Sequence, residues 1–264
     1  MANFLFGQPV LPARPKADSV KQVFVLGAYP SALHVRWTYN EKELIKAVAI
    51  DNEPEPFWTG ADQEERIAAW KEKVKWDGRW GRVQACANLN GPSGAWVEEK
   101  VLDVLGVKRT DAWITDCIDT YFQSGKAESK IEDVKRSNVF DVSPIWPSLA
   151  KHPSENDIVN GAQSDRLRVE LAIAKPALIV TLGNAALRVC RTELIQPIDK
   201  VPAKLSIEDY GMKFRVKLKK ANGIDHYAEL LPLAHPAAPK VYQAAHAKWM
   251  QKVRSLEVIS KIAA

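Results

Sequence analysis

Ala177-Leu178-Ile179-Val180-Thr181-Leu182-Gly183-Asn184-Ala185-Ala186 is an uncharged run that stops at a glycine and then opens a helical pattern. A run this short and uniformly apolar suits a strand buried on both faces, as in a parallel sheet. Three other segments repeat the device: Val23-Phe24-Val25-Leu26 before Gly27, Ala112-Trp113-Ile114-Thr115 before Asp116, and Glu229-Leu230-Leu231-Pro232-Leu233 shortly before His235. Helical patterns lie between them. Residues 61–76 carry Ile67, Trp70 and Val74 on one face. Residues 95–105 place Trp96, Val97, Val101, Leu102 and Leu105 at helical spacing, with Ser93 near the start and Gly106 as a stop. Residues 164–174 lead into the third strand, and 240–260 form a closing amphipathic helix. Strands that alternate with helices predict an α/β fold with parallel pairing, right-handed crossovers and helices on both faces of the sheet. Ligands in such sheets bind beyond the carboxyl ends of the strands, so the four loops named above are the place to look.

Smaller features lie outside this frame. An insert at 38–52 adds a strand at Lys46 to Ile50, and 207–219 alternates as an antiparallel or edge strand. Residues 123–163 are polar and read as a long excursion. Apolar residues make up 46% and charged residues 26%, a balance that excludes large-scale disorder. No stretch approaches the roughly 18 apolar residues of a membrane span, and the first residues lack the pattern of a signal peptide, so a cytoplasmic location is expected. Cys86, Cys117 and Cys190 are isolated, which argues against a disulfide framework or a cysteine-only zinc site. A net charge of +5 and a pI near 9.0 favour a polyanionic partner. Nine tryptophans suit either core packing or stacking on bases.

The four loops carry the chemistry. Gly27-Ala28-Tyr29-Pro30-Ser31 combines a residue that allows close backbone approach with a proline that stiffens the turn. Asp116 is a carboxylate at the end of a central strand, where burial without a partner is costly; a helix cap or salt bridge is the structural alternative to reading a ligand. Gly183-Asn184 opens a helix whose first N–H groups suit a phosphate. His235-Pro236-Ala237 sits in a stiff loop, where a histidine serves either structure or catalysis.

Taken together and in order, these pieces resemble the uracil-DNA glycosylase superfamily. The first loop is similar to its motif after the first strand, Thr115-Asp116 stands where it has a base-reading Asn, Gly183-Asn184 is similar to its phosphate loop, and His235-Pro236-Ala237 is similar to its His-Pro-Ser motif. Gly91-Pro92-Ser93 resembles its proline-rich loop, and Pro56-Phe57-Trp58-Thr59-Gly60 the segment with the aromatic ring that stacks on the extruded base. The match covers about residues 20 to 250 of one domain, 1–264. It implies a doubly wound central sheet of four parallel strands with helices on both faces, small edge β insertions, and no metal or organic cofactor. It also implies DNA as partner, with no membrane and no obligate protein partner. The implied roles are base contacts from Gly27, Tyr29, Ser31, Phe57 and Asp116, phosphate contacts from Ser93, Gly183, Asn184 and Ala237, and a hydrogen bond from His235 to the base carbonyl in the transition state.

The chain departs from the family pattern at informative places. Tyr29 stands where classical members hold a catalytic Asp or Asn, so water activation falls to Asp51 first and Glu53 second, with His34 a weaker candidate. The alternative for this acidic stretch is a solvated turn. Ser31 replaces the bulky Tyr that blocks 5-substituted pyrimidines in uracil-specific members. Asp116, read as ionised, only accepts hydrogen bonds, which matches the N4 amino group of cytosine and repels O4 of uracil. Removing plain cytosine would attack the host genome. The expected substrate is therefore a cytosine enlarged at C5, as for antiviral members that remove glucosylated 5-hydroxymethylcytosine from phage DNA. No lysine stands in these motifs, so hydrolysis without strand cleavage is expected, leaving an abasic site. Pro239 to Tyr242 are candidates for a wedge that fills the gap left by the base. Rival readings are repair of uracil or a deaminated base, and a catalytically silent DNA-binding module. A nucleotide-binding protein is weaker still, because neither GxGxxG nor GxxxxGK[ST] follows a strand.

Overall fold

A computed structural model of the chain describes residues 2–16, 18–123, 131–135, 144–219 and 225–262. Its elements run in the order β1 (Val23–Gly27), β2 (Ala32–Tyr39), β3 (Lys42–Asn52), α1 (Gln63–Val74), β4 (Arg82–Ala85), α2 (Pro92–Val97), β5 (Ala112–Asp116), α3 (helical residues 131–135), α4 (Glu155–Gly161), α5 (Ser164–Ala174), β6 (Leu178–Leu182), α6 (Asn184–Val189), β7 (Ile195–Pro197), β8 (Phe214–Leu218), β9 (Tyr227–Leu233) and α7 (Lys240–Ile262). Both α2 and α6 continue into a wider turn of π-helix, over Glu98–Leu102 and Cys190–Leu194 respectively. Two stretches of the expected polar excursion 123–163, residues 124–130 and 136–143, lie outside the described residues.

Where the sequence reads as one domain, the residues cluster into two compact units. The first comprises Met1–Ala13, Pro30–Ala95 and Thr120–Pro153, the second Arg14–Tyr29, Trp96–Asp119 and Ser154–Ala264.

The second unit holds a six-stranded sheet of order β5-β1-β6-β9-β8-β7. The first four strands of that order are parallel, and β8 and β7 add antiparallel. Every residue of β1, β5 and β6 is buried, which the uncharged runs required. The alternating segment 207–219 yields only the five residues of β8, which lies inside the sheet because the unanticipated β7 takes the edge. The chain leaves β1 towards β5 on one side and returns to β6 on the other, so the direction of winding reverses between β1 and β6. Such a switch point opens a crevice at the carboxyl ends of the two strands.

The first unit is a three-stranded antiparallel sheet, β3-β2-β4, with an aromatic core. Lys46–Ile50 is part of the longer β3, and β2 and β4 were not foreseen. Asp51 and Asn52 close β3, so the acidic stretch begins on a strand and not in a solvated turn. Trp37, Trp58 and Trp70 are buried in this core, with Phe6, Trp76, Trp80 and Trp146 packed against it. In the second unit Trp113 donates to Glu170, while Trp96 and Trp249 pack on the His246 ring. All nine tryptophans are thus accounted for by packing.

The Phe57–Gly60 loop of the first unit lies against the start of α2 through two glycines. A Cβ on Gly94 would stand 2.2 Å from the carbonyl oxygen of Phe57, and one on Gly91 would stand 2.0 Å from the backbone of Thr59. Neither contact is with a side chain that could swing away. Gly94→Ala is expected to destabilise the protein by about 3 kcal/mol and to loosen the Phe57 loop. A thermal melt alongside limited proteolysis checks this; an unchanged melt and no new cleavage near residue 57 would sink it.

Candidate active site

The second unit gathers four expected residues at the carboxyl edge of its parallel strands. Asp116 closes β5 and pairs in register with Gly27 of β1. Gly183 and His235 follow β6 and β9, which are neighbours, and the Gly183 N–H donates to the Leu233 carbonyl at 2.8 Å. Gly183 has φ 89° and ψ 172°, a conformation essentially reserved for glycine, and a Cβ there would lie 3.4 Å from the His235 Cβ. It is the backbone conformation, rather than the approach of His235, that calls for glycine here.

Asp116 is 1% exposed, and neither carboxyl oxygen has a hydrogen-bond partner among the described residues. Burial pushes its pKa up to about 8, with Glu170 and Asp119 adding to the rise and Arg166 opposing it. At neutral pH this favours a carboxylic acid, one donor and one acceptor, over the ionised carboxylate read from sequence. Tyr29 stands close enough to feel its charge; burial first and Asp116 second raise the phenol to about 12.

The cation near Asp116 is committed elsewhere. The Arg166 guanidinium donates to the Asp116 carbonyl at 2.5 Å, to Thr115 Oγ1 at 2.9 Å, to Glu170 Oε1 at 2.6 Å and, through Nε, to Gln163 Oε1 at 2.6 Å. Asp119 accepts from Arg14 and Gln163. This network fixes the backbone of the strand end and leaves the Asp116 side chain alone. Sequence reasoning missed it. Its signal was the Arg166–Glu170 spacing of four, beside the buried stripe of Leu167, Leu171 and Ala174.

His235 is oriented as a donor. The Ala237 N–H points at His235 Nδ1, 3.2 Å away, so Nδ1 carries the lone pair and Nε2 the proton. Burial lowers the imidazole pKa, which favours this neutral form. The residue before it is tied down too. Tyr210 Oη accepts from the Ala234 N–H at 3.3 Å and donates to His246 Nδ1 at 2.7 Å, while His246 Nε2–H donates to the Lys100 carbonyl at 3.0 Å. Tyr210 and His246 were not foreseen, because residues 36 positions apart carry no local pattern.

Three of the expected phosphate contacts have hydrogen-bond partners within the chain. The Ala237 N–H is turned to His235 and the Gly183 N–H to Leu233, so neither faces a phosphate in this arrangement. Asn184 Oδ1 accepts from the Leu205 N–H at 2.9 Å. The first internal bond of α6 runs from the Leu187 N–H to the Gly183 carbonyl, so the N–H groups of Asn184 and Ala185 have no intrahelical acceptor.

In the first unit, Glu53 is buried and its Oε1 accepts from the Ser31 N–H at 2.9 Å. Asp51 is partly exposed, and its Oδ1 accepts from both the backbone and the side-chain N–H of Asn52. His34 is occupied at both ring nitrogens: Nδ1–H donates to the Ala32 carbonyl at 2.8 Å and Nε2 faces Tyr121 Oη at 3.3 Å. With its pKa lowered to about 4 by burial, His34 is a fixed neutral ring. Phe57 adopts φ 54°, unusual for a bulky residue, and is 7% exposed. Ser93 is the second residue of α2 and partly exposed.

Among the described residues, no three His, Cys, Asp or Glu side chains assemble as a metal site, and no helix is long and apolar enough to cross a membrane. The three cysteines are free and buried. No protein-family model matches the chain, and no curated protein is detectably similar to it.

Proposed function

We propose that the chain is a monofunctional DNA glycosylase of the uracil-DNA glycosylase superfamily, acting on a flipped cytosine enlarged at C5, such as glucosylated 5-hydroxymethylcytosine in phage DNA. The observation that carries the reading is Asp116, a buried carboxyl without a hydrogen-bond partner among the described residues, at the end of a parallel strand beside the switch point. Leaving such a group unsatisfied costs about 1–3 kcal/mol, and a ligand that completes it removes that penalty. A second support is the neutral His235, whose Nε2–H is available to donate. The parallel strands in the order second, first, third, fourth agree with the doubly wound core that the resemblance implies.

In this reading the base is taken out of the stack, because its glycosidic bond is unreachable inside a duplex. In the second unit Asp116 reads the base edge and the first N–H groups of α6 grip a phosphate. For residues of the first unit the roles are those the resemblance assigns: stacking for Phe57, a phosphate contact for Ser93, water orientation for Asp51 first and Glu53 second, and room beside C5 for Ser31. Val241, at 56% exposed in the first turn of α7, is the wedge, since the Tyr242 hydroxyl already donates inward to the Leu205 carbonyl. As the bond breaks, charge gathers on the base O2 and His235 Nε2–H donates to it.

The neutral state of Asp116 keeps a second reading alive. A carboxylic acid can meet N3–H and O4 of uracil as well as N3 and N4 of cytosine. Base release followed by mass spectrometry, from matched DNAs with uracil, cytosine, 5-hydroxymethylcytosine or its glucosylated form, separates the two. Release of the glucosylated base alone is the expected result. Release of uracil makes this a repair enzyme, and binding of DNA without any release makes it a silent module.

A further inference from the structure

We propose that Asp116 is the proton donor to the leaving base: its carboxyl O–H delivers a proton to ring N3 of a cytosine-type base as the glycosidic bond breaks, while its carbonyl oxygen receives the N4 amino group. This role rests on the glycosylase reading above and goes beyond edge recognition.

Titratable groups surround the Asp116 carboxyl. Tyr29 faces it from the loop after β1, Cys117 and Asp119 from the chain after β5, and Arg166 and Glu170 from α5. The phenol and the thiol are both held neutral, the thiol chiefly by burial. Asp119 is bonded by Arg14 and Gln163, and Arg166 is spent on Glu170, Thr115 and two backbone carbonyls. The side chain thus lacks the cation and the N–H donors that would hold it ionised, although an arginine stands one helix away. The Arg166–Glu170 pair keeps that cation from neutralising Asp116.

The chemistry asks for such a group. The cytosine ring has one carbonyl where uracil has two, so it spreads negative charge less well and leaves less readily as an anion. Its N3 is an acceptor beside the N4 amino donor, the complement of one O–H and one C=O on a single carboxyl. The step balances. The C1′–N1 electron pair passes into the ring, and the Asp116 proton moves to N3. The base departs neutral and Asp116 is left as carboxylate. Water adds its oxygen to C1′ and gives its proton to solvent, which reprotonates Asp116. The base then reverts from its N3–H to its N1–H form in water.

The test compares the wild-type chain with Asp116→Asn, which can still accept from N4 and donate to N3 but has no proton to transfer. The DNA probes carry 5-hydroxymethylcytosine, its glucosylated form, or matched bases with C–H in place of N3. On the N3-containing base that the wild type releases, D116N should be slower by about 100-fold or more in a single turnover. On the base lacking N3, neither protein can protonate the ring, so the gap between them should narrow to less than about tenfold. Wild-type release should decline as pH rises through about 8, and D116N should show no such decline. Independently of activity, an infrared difference between the two proteins at neutral pH should contain the carbonyl band of a protonated acid. D116N within threefold of wild type, a wild-type rate flat through pH 8, or no acid band overturns the proposal and leaves the glycosylase reading standing. No release of any base by the wild-type chain overturns both.

Discussion

His235→Ala is expected to slow base release by about 10²–10³-fold while leaving DNA affinity and folding stability nearly unchanged. The reasoning is local. His235 contributes one directed donor, Nε2–H, and the structure fixes that tautomer by aiming the Ala237 N–H at Nδ1. The donor matters only when charge builds on the departing base, so its loss falls on the chemical step and not on ground-state binding. His235→Gln retains an amide N–H and should recover part of the loss. The pH dependence has a definite sign. Burial lowers the imidazole pKa below its ordinary value of 6.5, so the ring stays neutral at pH 7 and gains its second proton only in more acidic solution. That proton would sit on Nδ1, facing the Ala237 N–H, donor against donor. Activity should therefore fall on the acid side below pH 6.5, and this limb should be absent from the residual activity of H235A. Single-turnover assays across pH, paired with a binding titration, check both points. An equal loss of affinity and rate would show that His235 serves binding only.

Asp116→Asn is expected to raise folding stability at neutral pH by about 4 kcal/mol. The folded carboxyl titrates near 8 and the unfolded one near 3.8, so between those values the native state binds the extra proton. Stability then falls as pH rises from about 4 to about 8, at roughly 1.4 kcal/mol per pH unit, which reaches about 4 kcal/mol at pH 7. Asparagine is neutral in both states and escapes this loss. Denaturant unfolding at pH 5, 7 and 8.5 should show a wild-type decline that D116N lacks. Equal slopes for the two proteins would mean that Asp116 is ionised or solvated in the fold. A group that destabilises the free protein in this way is expected where function and not packing selects the residue.

Much of the second unit was legible because its signals are local. Uncharged runs ending at Gly27, Asp116 and Gly183 mark strands buried on both faces, and β1, β5 and β6 follow those runs to within a residue or two. Helix α5 occupies the expected span, and α7 extends the predicted one by two residues, for the same reason. The first unit was harder. Strands β2 and β4 form an antiparallel sheet with β3, and Val83 in four-residue β4 has value only against Trp37 across the ladder. Pairing of that kind depends on residues some forty-six positions apart.

The candidate site divides along the same line. Gly27, Gly183 and His235 were findable because a glycine at a strand end and a stiff His-Pro loop have meaning within a few residues. The commitments of the Ala237 and Gly183 N–H groups were not, since each depends on where a neighbouring strand or ring ends up. For Asp116, sequence supplied the residue, its place at a strand end and the expectation that burial would need a partner. It read the group as ionised, whereas burial in the fold favours the protonated form. Whether a carboxyl is an anion or an acid is set by the water removed from it and by the hydrogen bonds and cations that remain. Those come from Tyr29, Asp119, Arg166 and Glu170, which only the folded chain brings around it.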